Sequence, residues 1–145
     1  VTNGFGLENI PVTVERGIKV NDVMQTSMPN VYAAGDVTGF SMLAHTASRE
    51  AEVAVNHMLG IDDTMRYNAI PGVVYTNPEV SCIGLSEEQA TTEGIEYKLC
   101  KLPMTYAGRF VAENEGVTGI CKILVGDDGK IIGMETFGES APSKK

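Results

Sequence analysis

The stretch NVYAAGDVTGFSMLAHTASREAEVA, residues 30–54, constrains the fold of this chain more than any other. Val31, Tyr32, Ala33 and Ala34 form a short apolar run ending at Gly35. By periodicity alone such a run reads as strand or as core helix. The pattern after Gly35 decides between them. From Leu43 the apolar residues fall at Leu43, Ala44, Ala47, Ala51, Ala54, Val55, Met58 and Leu59, and Arg49, Glu50, Glu52, Asn56 and His57 take the other positions. That three-and-four spacing predicts an amphipathic helix, stopped by Gly60. The unit reads as strand, loop, helix, with Asp36 at the strand's carboxyl end, the edge where open α/β sheets place ligands.

Two uses suit a carboxylate there. Asp36 can accept hydrogen bonds from sugar-like hydroxyls, or it can cap its own loop or helix. At the helix start, Met42, Leu43 and Ala44 combine apolar side chains with backbone N–H groups that lack intrahelical partners. That combination suits a flat aromatic ligand with an electron-rich edge; the plain alternative is a buried helix start with hydrated amides. His45 and His57 have no acid or cysteine at ligand spacing and read as surface or packing residues. Gly4, Gly6 and Gly17 do not form a dinucleotide fingerprint, since no third glycine at the needed spacing and no apolar strand accompany them.

With 145 residues the chain can bury one respectable core or two small ones. Its net charge of −8 argues against a nucleic-acid partner, and no apolar run approaches the length of a membrane span. Cys82, Cys100 and Cys121 are odd in number and widely spaced, without a Cys-x-x-Cys pair or a nearby histidine. They read as small core or strand residues in a reducing compartment, and no metal site is expected. The opening VTNGFG, with no initiator Met and no charged leader, reads as the middle of a longer protein.

Along the chain, strand-like patterns at Val12 to Val14 and Ile18 to Val20 flank a turn at Glu15-Arg16-Gly17. The polar, Pro/Gly-punctuated GIDDTMRYNAIPG reads as a linker and domain boundary. Strands are then expected at Val73–Thr76, in VSCIG after the Asn77-Pro78 break, and at Tyr97–Leu102. Tyr75 to Glu79 serves as a ligand or interface loop, or simply as a strand-breaking turn. In LSEEQATTEG, Ser86 and Gln89 form a capping box and Gly94 is the stop. The clearest hairpin joins Ile120–Val125 to Ile131–Phe137 through Gly126-Asp127-Asp128-Gly129. The expected organisation is an α/β portion over residues 1–66 and an α+β unit over 67–145.

Three ordered segments, TSMPNVYAAGDV, MLAHTASREA and IPGVVYTNPEVSCIGLSEEQA, resemble the flavoprotein disulfide reductases, the flavin-dependent pyridine nucleotide-disulfide oxidoreductase family. Within it the LAH.A helix start and YTNPEV..IG are most similar to the branch that oxidises dihydrolipoyl groups with NAD as acceptor. The later GICKILVGDDGKIIGMETFG resembles the family's interface domain. The resemblance implies that residues 1–66 are the C-terminal part of an FAD-binding domain and 67–145 an incomplete dimerisation domain. It further implies that Asp36 binds a ribitol hydroxyl of FAD and that Gly35 lets the backbone approach the cofactor. Met42, Leu43 and Ala44 would aim their amides at the flavin's pyrimidine edge, with Met42 and His45 lining the same region. The implied partners are a second copy, joined after about Tyr67, and lipoyl-bearing proteins, and a cytoplasmic location is expected.

The family's dinucleotide glycines for FAD and NAD, its Cys-x-x-x-x-Cys pair and its His-Pro…Glu motif have no match here. The chain is therefore expected to carry no catalytic residue and to be inactive by itself, a piece of an enzyme. Two alternatives stay open on sequence: a non-catalytic α+β dimerisation module, and a piece of another flavin disulfide reductase.

Overall fold

In the computed structural model, residues 4, 6–114 and 116–138 are described. The chain divides into two compact units, Val1–Tyr67 and Asn68–Lys145. The tail SAPSKK lies outside the described residues.

The first unit is built on one helix, α1 (Ala44–Met58), and on loops packed against it. Its end follows the expected signal: Gly60 has φ 73°, its N–H donates to the His57 carbonyl, and the Ile61 N–H reaches back to the Asn56 carbonyl. That pair of bonds is a Schellman closure, which favours glycine because the position is left-handed. The buried stripe of α1 departs from the expected one. Ala54 is buried as expected, but so are Thr46, Glu50 and Val53, whereas Val55, Met58 and Leu59 are exposed. Glu50, read from sequence as part of the polar face, is fully buried. The core of this unit also holds Ile18, Met24, Ala33 and Met65.

The expected strand at Val31 to Ala34 does not form. Tyr32 makes a single antiparallel bridge with Gln25, and Ala34 is extended (φ −143°, ψ 154°) without a ladder. A strand is defined by its hydrogen-bonded neighbours, and among the described residues this segment has only that bridge, so an extended apolar run remains a loop. It passes into a single 3-10 turn, Gly35–Thr38. The earlier turn is present: Val14 bridges Ile18 across Glu15 to Gly17. The supposed linker is tied down at its start. Asp63 accepts from Arg49 (2.5 Å) and Asn56 (2.8 Å), and Met65 is buried with its N–H on the Asp22 carbonyl.

The second unit is a five-stranded antiparallel sheet accompanied by short helices. Its strands are β1 (Gly72–Val74), β2 (Glu79–Gly84), β3 (Tyr97–Pro103), β4 (Gly119–Gly126) and β5 (Ile131–Gly138), in the order β1-β2-β5-β4-β3. β1 stops at Val74 rather than continuing to Thr76. α2 (Glu87–Thr92) starts on the expected capping box: Ser86 Oγ accepts from the Gln89 N–H (3.1 Å) and Gln89 Oε1 accepts from the Ser86 N–H (2.9 Å). The β4–β5 turn closes through Gly129 N–H to the Gly126 carbonyl and Gly126 N–H to the Lys130 carbonyl. Leu124 and Ala90 are fully buried in this unit. A further helix, α3 (Gly108–Glu113), carries no apolar stripe long enough to be read from sequence.

Candidate functional site

The loop expected to hold a ligand lies against α1. Gly35 is buried in a left-handed conformation (φ 81°), and a Cβ there would crowd the Ala47 Cβ at 3.2 Å. Its N–H donates to Glu50 Oε2 at 2.5 Å. The next residue, Asp36, is exposed, and its carboxylate has no hydrogen bond or ion pair among the described residues. The cap of the 3-10 turn is Ala34, without a side-chain bond, so Asp36 is not spent on capping this turn.

The start of α1 is preceded by Leu43, has no side-chain cap, and carries no acidic residue in its first turn. Its first intrahelical bond is Ala47 N–H to the Leu43 carbonyl. Met42 is exposed, Leu43 half-buried, and Ala44 and His45 exposed. An uncapped helix N-terminus with apolar side chains offers positive dipole charge beside a non-polar surface. His57 has a local partner: its Nδ1 and the Tyr32 hydroxyl lie 2.7 Å apart.

Two residues that sequence reasoning passed over hold this region. Glu50 Oε1 accepts from the Tyr67 hydroxyl at 2.8 Å, while its other oxygen holds Gly35. Burial, and then the hydrogen bond to the Glu50 carboxylate, push the Tyr67 phenol far up, so it stays a donor at any ordinary pH. The Tyr67 ring stacks obliquely on Phe40, with centroids 4.1 Å apart. The cysteines are strand residues, in β2, β3 and β4, but not core: Cys82 and Cys100 are exposed and all three are free. Among the described residues no group of three metal-ligating side chains converges.

Residues 70–143 match the family described as pyridine nucleotide-disulphide oxidoreductase, dimerisation domain. The chain belongs to this family. Residues 2–51 match its companion, pyridine nucleotide-disulphide oxidoreductase, so each of the two units has a family match. Members of the family use FAD and NAD(P). Among relatives, the chain is 41% identical over 143 residues to the mitochondrial dihydrolipoyl dehydrogenase of Canis lupus familiaris, covering 97% of this chain and 28% of that one. The crystal structure of LpdA from Mycobacterium tuberculosis matches with a TM-score of 0.82 at 28% identity, over 94% of this chain and 30% of that one. A Cu(II) complex of the HOCl-induced flavoprotein disulfide reductase RclA from Escherichia coli matches at 0.72 and 25%, over 88% and 30%. The chain thus spans less than a third of these relatives. One expectation is overturned. The curated dihydrolipoyl dehydrogenases that it resembles are named mitochondrial, against the cytoplasmic location expected from sequence.

Proposed function

We propose that this chain is part of an FAD-dependent dihydrolipoyl dehydrogenase, to which it contributes one wall of the flavin site and the sheet through which two subunits join. The observation that carries this reading is the exposed, unpartnered Asp36 carboxylate, set on a loop packed against an uncapped helix start. A solvated carboxylate held on a fixed loop is suited to accept a hydrogen bond from a ribitol hydroxyl. Gly35, without a side chain, lets this loop pack against Ala47 and so fixes where Asp36 is presented. The amides at Met42, Leu43 and Ala44 favour electron density on the ring's edge, and Met42 and His45 line the same region. When bound, FAD would supply the electron relay between a dithiol and NAD. Lipoyl-bearing proteins are the substrates' carriers in this reading, and a second copy is the partner of the sheet.

The support beyond geometry is the 41% identity to dihydrolipoyl dehydrogenases, which runs through both units. The test is Asp36→Ala in the full-length flavoprotein that carries this segment. Losing a hydrogen bond to a charged group should weaken FAD binding by roughly one to two decades, read from flavin fluorescence on dilution. Unchanged affinity would return Asp36 to a role in the loop alone.

A further inference from the structure

Glu50 is a fully buried carboxylate with no cation beside it among the described residues. A buried charge is costly unless its oxygens are satisfied, so what satisfies them shows what the residue is for. One oxygen takes the backbone N–H of Gly35 and the other the hydroxyl of Tyr67. The Gly35 bond falls on the residue immediately before Asp36, where the chain turns left-handed against Ala47. Glu50 sits within one turn of Ala47 on α1, so helix, carboxylate and glycine fix the loop from one side. Tyr67, kept protonated and wedged on Phe40, fixes the carboxylate from the other.

We propose that Glu50 is a positioning residue for the cofactor: by holding the Gly35 N–H it sets where the Asp36 carboxylate meets the ribitol hydroxyl. The inference rests on the flavin reading and deepens it. Glu50 does not touch the cofactor in this account, and its whole effect passes through Asp36. An exposed aspartate on a loop samples many orientations, and this freedom must be frozen when a ligand binds. A loop already clamped at the preceding amide has less freedom left to lose.

The test compares Glu50→Met, Asp36→Ala and the double variant in the full-length flavoprotein, reading the FAD dissociation constant. Methionine keeps the volume and removes the acceptor. Glu50→Met should weaken FAD about tenfold, and the double variant should bind no more weakly than Asp36→Ala alone, within about twofold. Additive losses would mean that Glu50 acts elsewhere than through Asp36, and wild-type affinity in Glu50→Met beside a weakened Asp36→Ala would leave Glu50 a core residue only. If Asp36→Ala itself binds FAD normally, the flavin reading fails and takes this proposal with it. Should Glu50→Met not fold, Glu50→Gln in the present chain supplies a second readout by amide exchange. The Gly35 amide should exchange about threefold faster or more, because a neutral acceptor is weaker, while the Leu124 amide is unchanged. Unchanged exchange at Gly35 overturns the clamp.

Discussion

Asp36 and Glu50 are carboxylates fourteen positions apart whose surroundings give them opposite work. Asp36 is exposed and its carboxylate has no partner among the described residues, so Asp36→Ala should change stability by no more than about 0.5 kcal/mol in thermal unfolding, whatever it does to FAD. Glu50 is enclosed, and its partner Tyr67 offers a direct probe. Tyr67→Phe leaves Oε1 of a buried carboxylate without a donor and should destabilise the chain by about 1–3 kcal/mol in urea denaturation. The same variant has a spectroscopic signature. Because the folded Tyr67 phenol is raised above its ordinary 10.0, its stabilising share is complete below that value and is lost as pH climbs toward the raised one. In tyrosinate absorbance, Tyr67 should ionise late in alkali, and Tyr67→Phe should remove that late step. A titration of wild type without a late tyrosine would contradict the Glu50–Tyr67 contact.

Among the helices and strands, local signals were legible and neighbour-dependent ones were not. The capping box at Ser86 and Gln89, the Gly60 stop and the Gly126–Gly129 turn are each decided within a few residues, and each is present. Val31 to Ala34 had the composition of a strand, but a ladder needs a partner that local pattern does not specify. The helix face failed for a different reason. Choosing apolar residues caught Ala54 but selected a stripe rotated away from Thr46, Glu50 and Val53, although these four have the i, i+4, i+7, i+8 spacing of a buried face. A polar residue in such a stripe was the signal that could have found Glu50. The α2 cap can be tested alone. Ser86→Ala should cost about 1 kcal/mol by removing it, measured by chemical denaturation; no change would mean that α2 is held by packing alone. Glu87, at the first turn of α2, is held below its ordinary 4.5 chiefly by its hydrogen bond to Lys122 on β4. Its stabilising share is therefore complete above that value and is lost as pH falls through the lowered one. Amide protection in α2 should drop in acid below about pH 4.5, and Glu87→Gln should flatten that dependence.

For the molecule as an assembling unit, one row of the sheet matters most. Val74, Val80, Phe137 and Ile120 are paired in register across β1, β2, β5 and β4, so they share a face, and all four are exposed. An apolar row of this kind is a docking surface or an aggregation liability. Together with the match to a dimerisation domain, it predicts dimers or larger species of this chain in sedimentation, shifted toward monomer by Phe137→Asp. A monomer across a wide concentration range would count against the shared sheet.

In the proposed function the chain supplies one wall of a flavin site and not the grip. A flavoprotein of this kind holds its cofactor largely through a glycine-rich turn around the pyrophosphate, and no such turn occurs in this sequence. One carboxylate and a few helix amides do not replace those contacts, and the Cys-x-x-x-x-Cys pair that would relay electrons has no match in this sequence. The decisive experiment is to mix the purified chain with excess FAD, desalt it, record the flavin absorbance bands, and assay NADH-linked lipoamide reduction on the same sample. A colourless protein without turnover is expected, whereas a yellow protein that reduces lipoamide would overturn the one-wall reading.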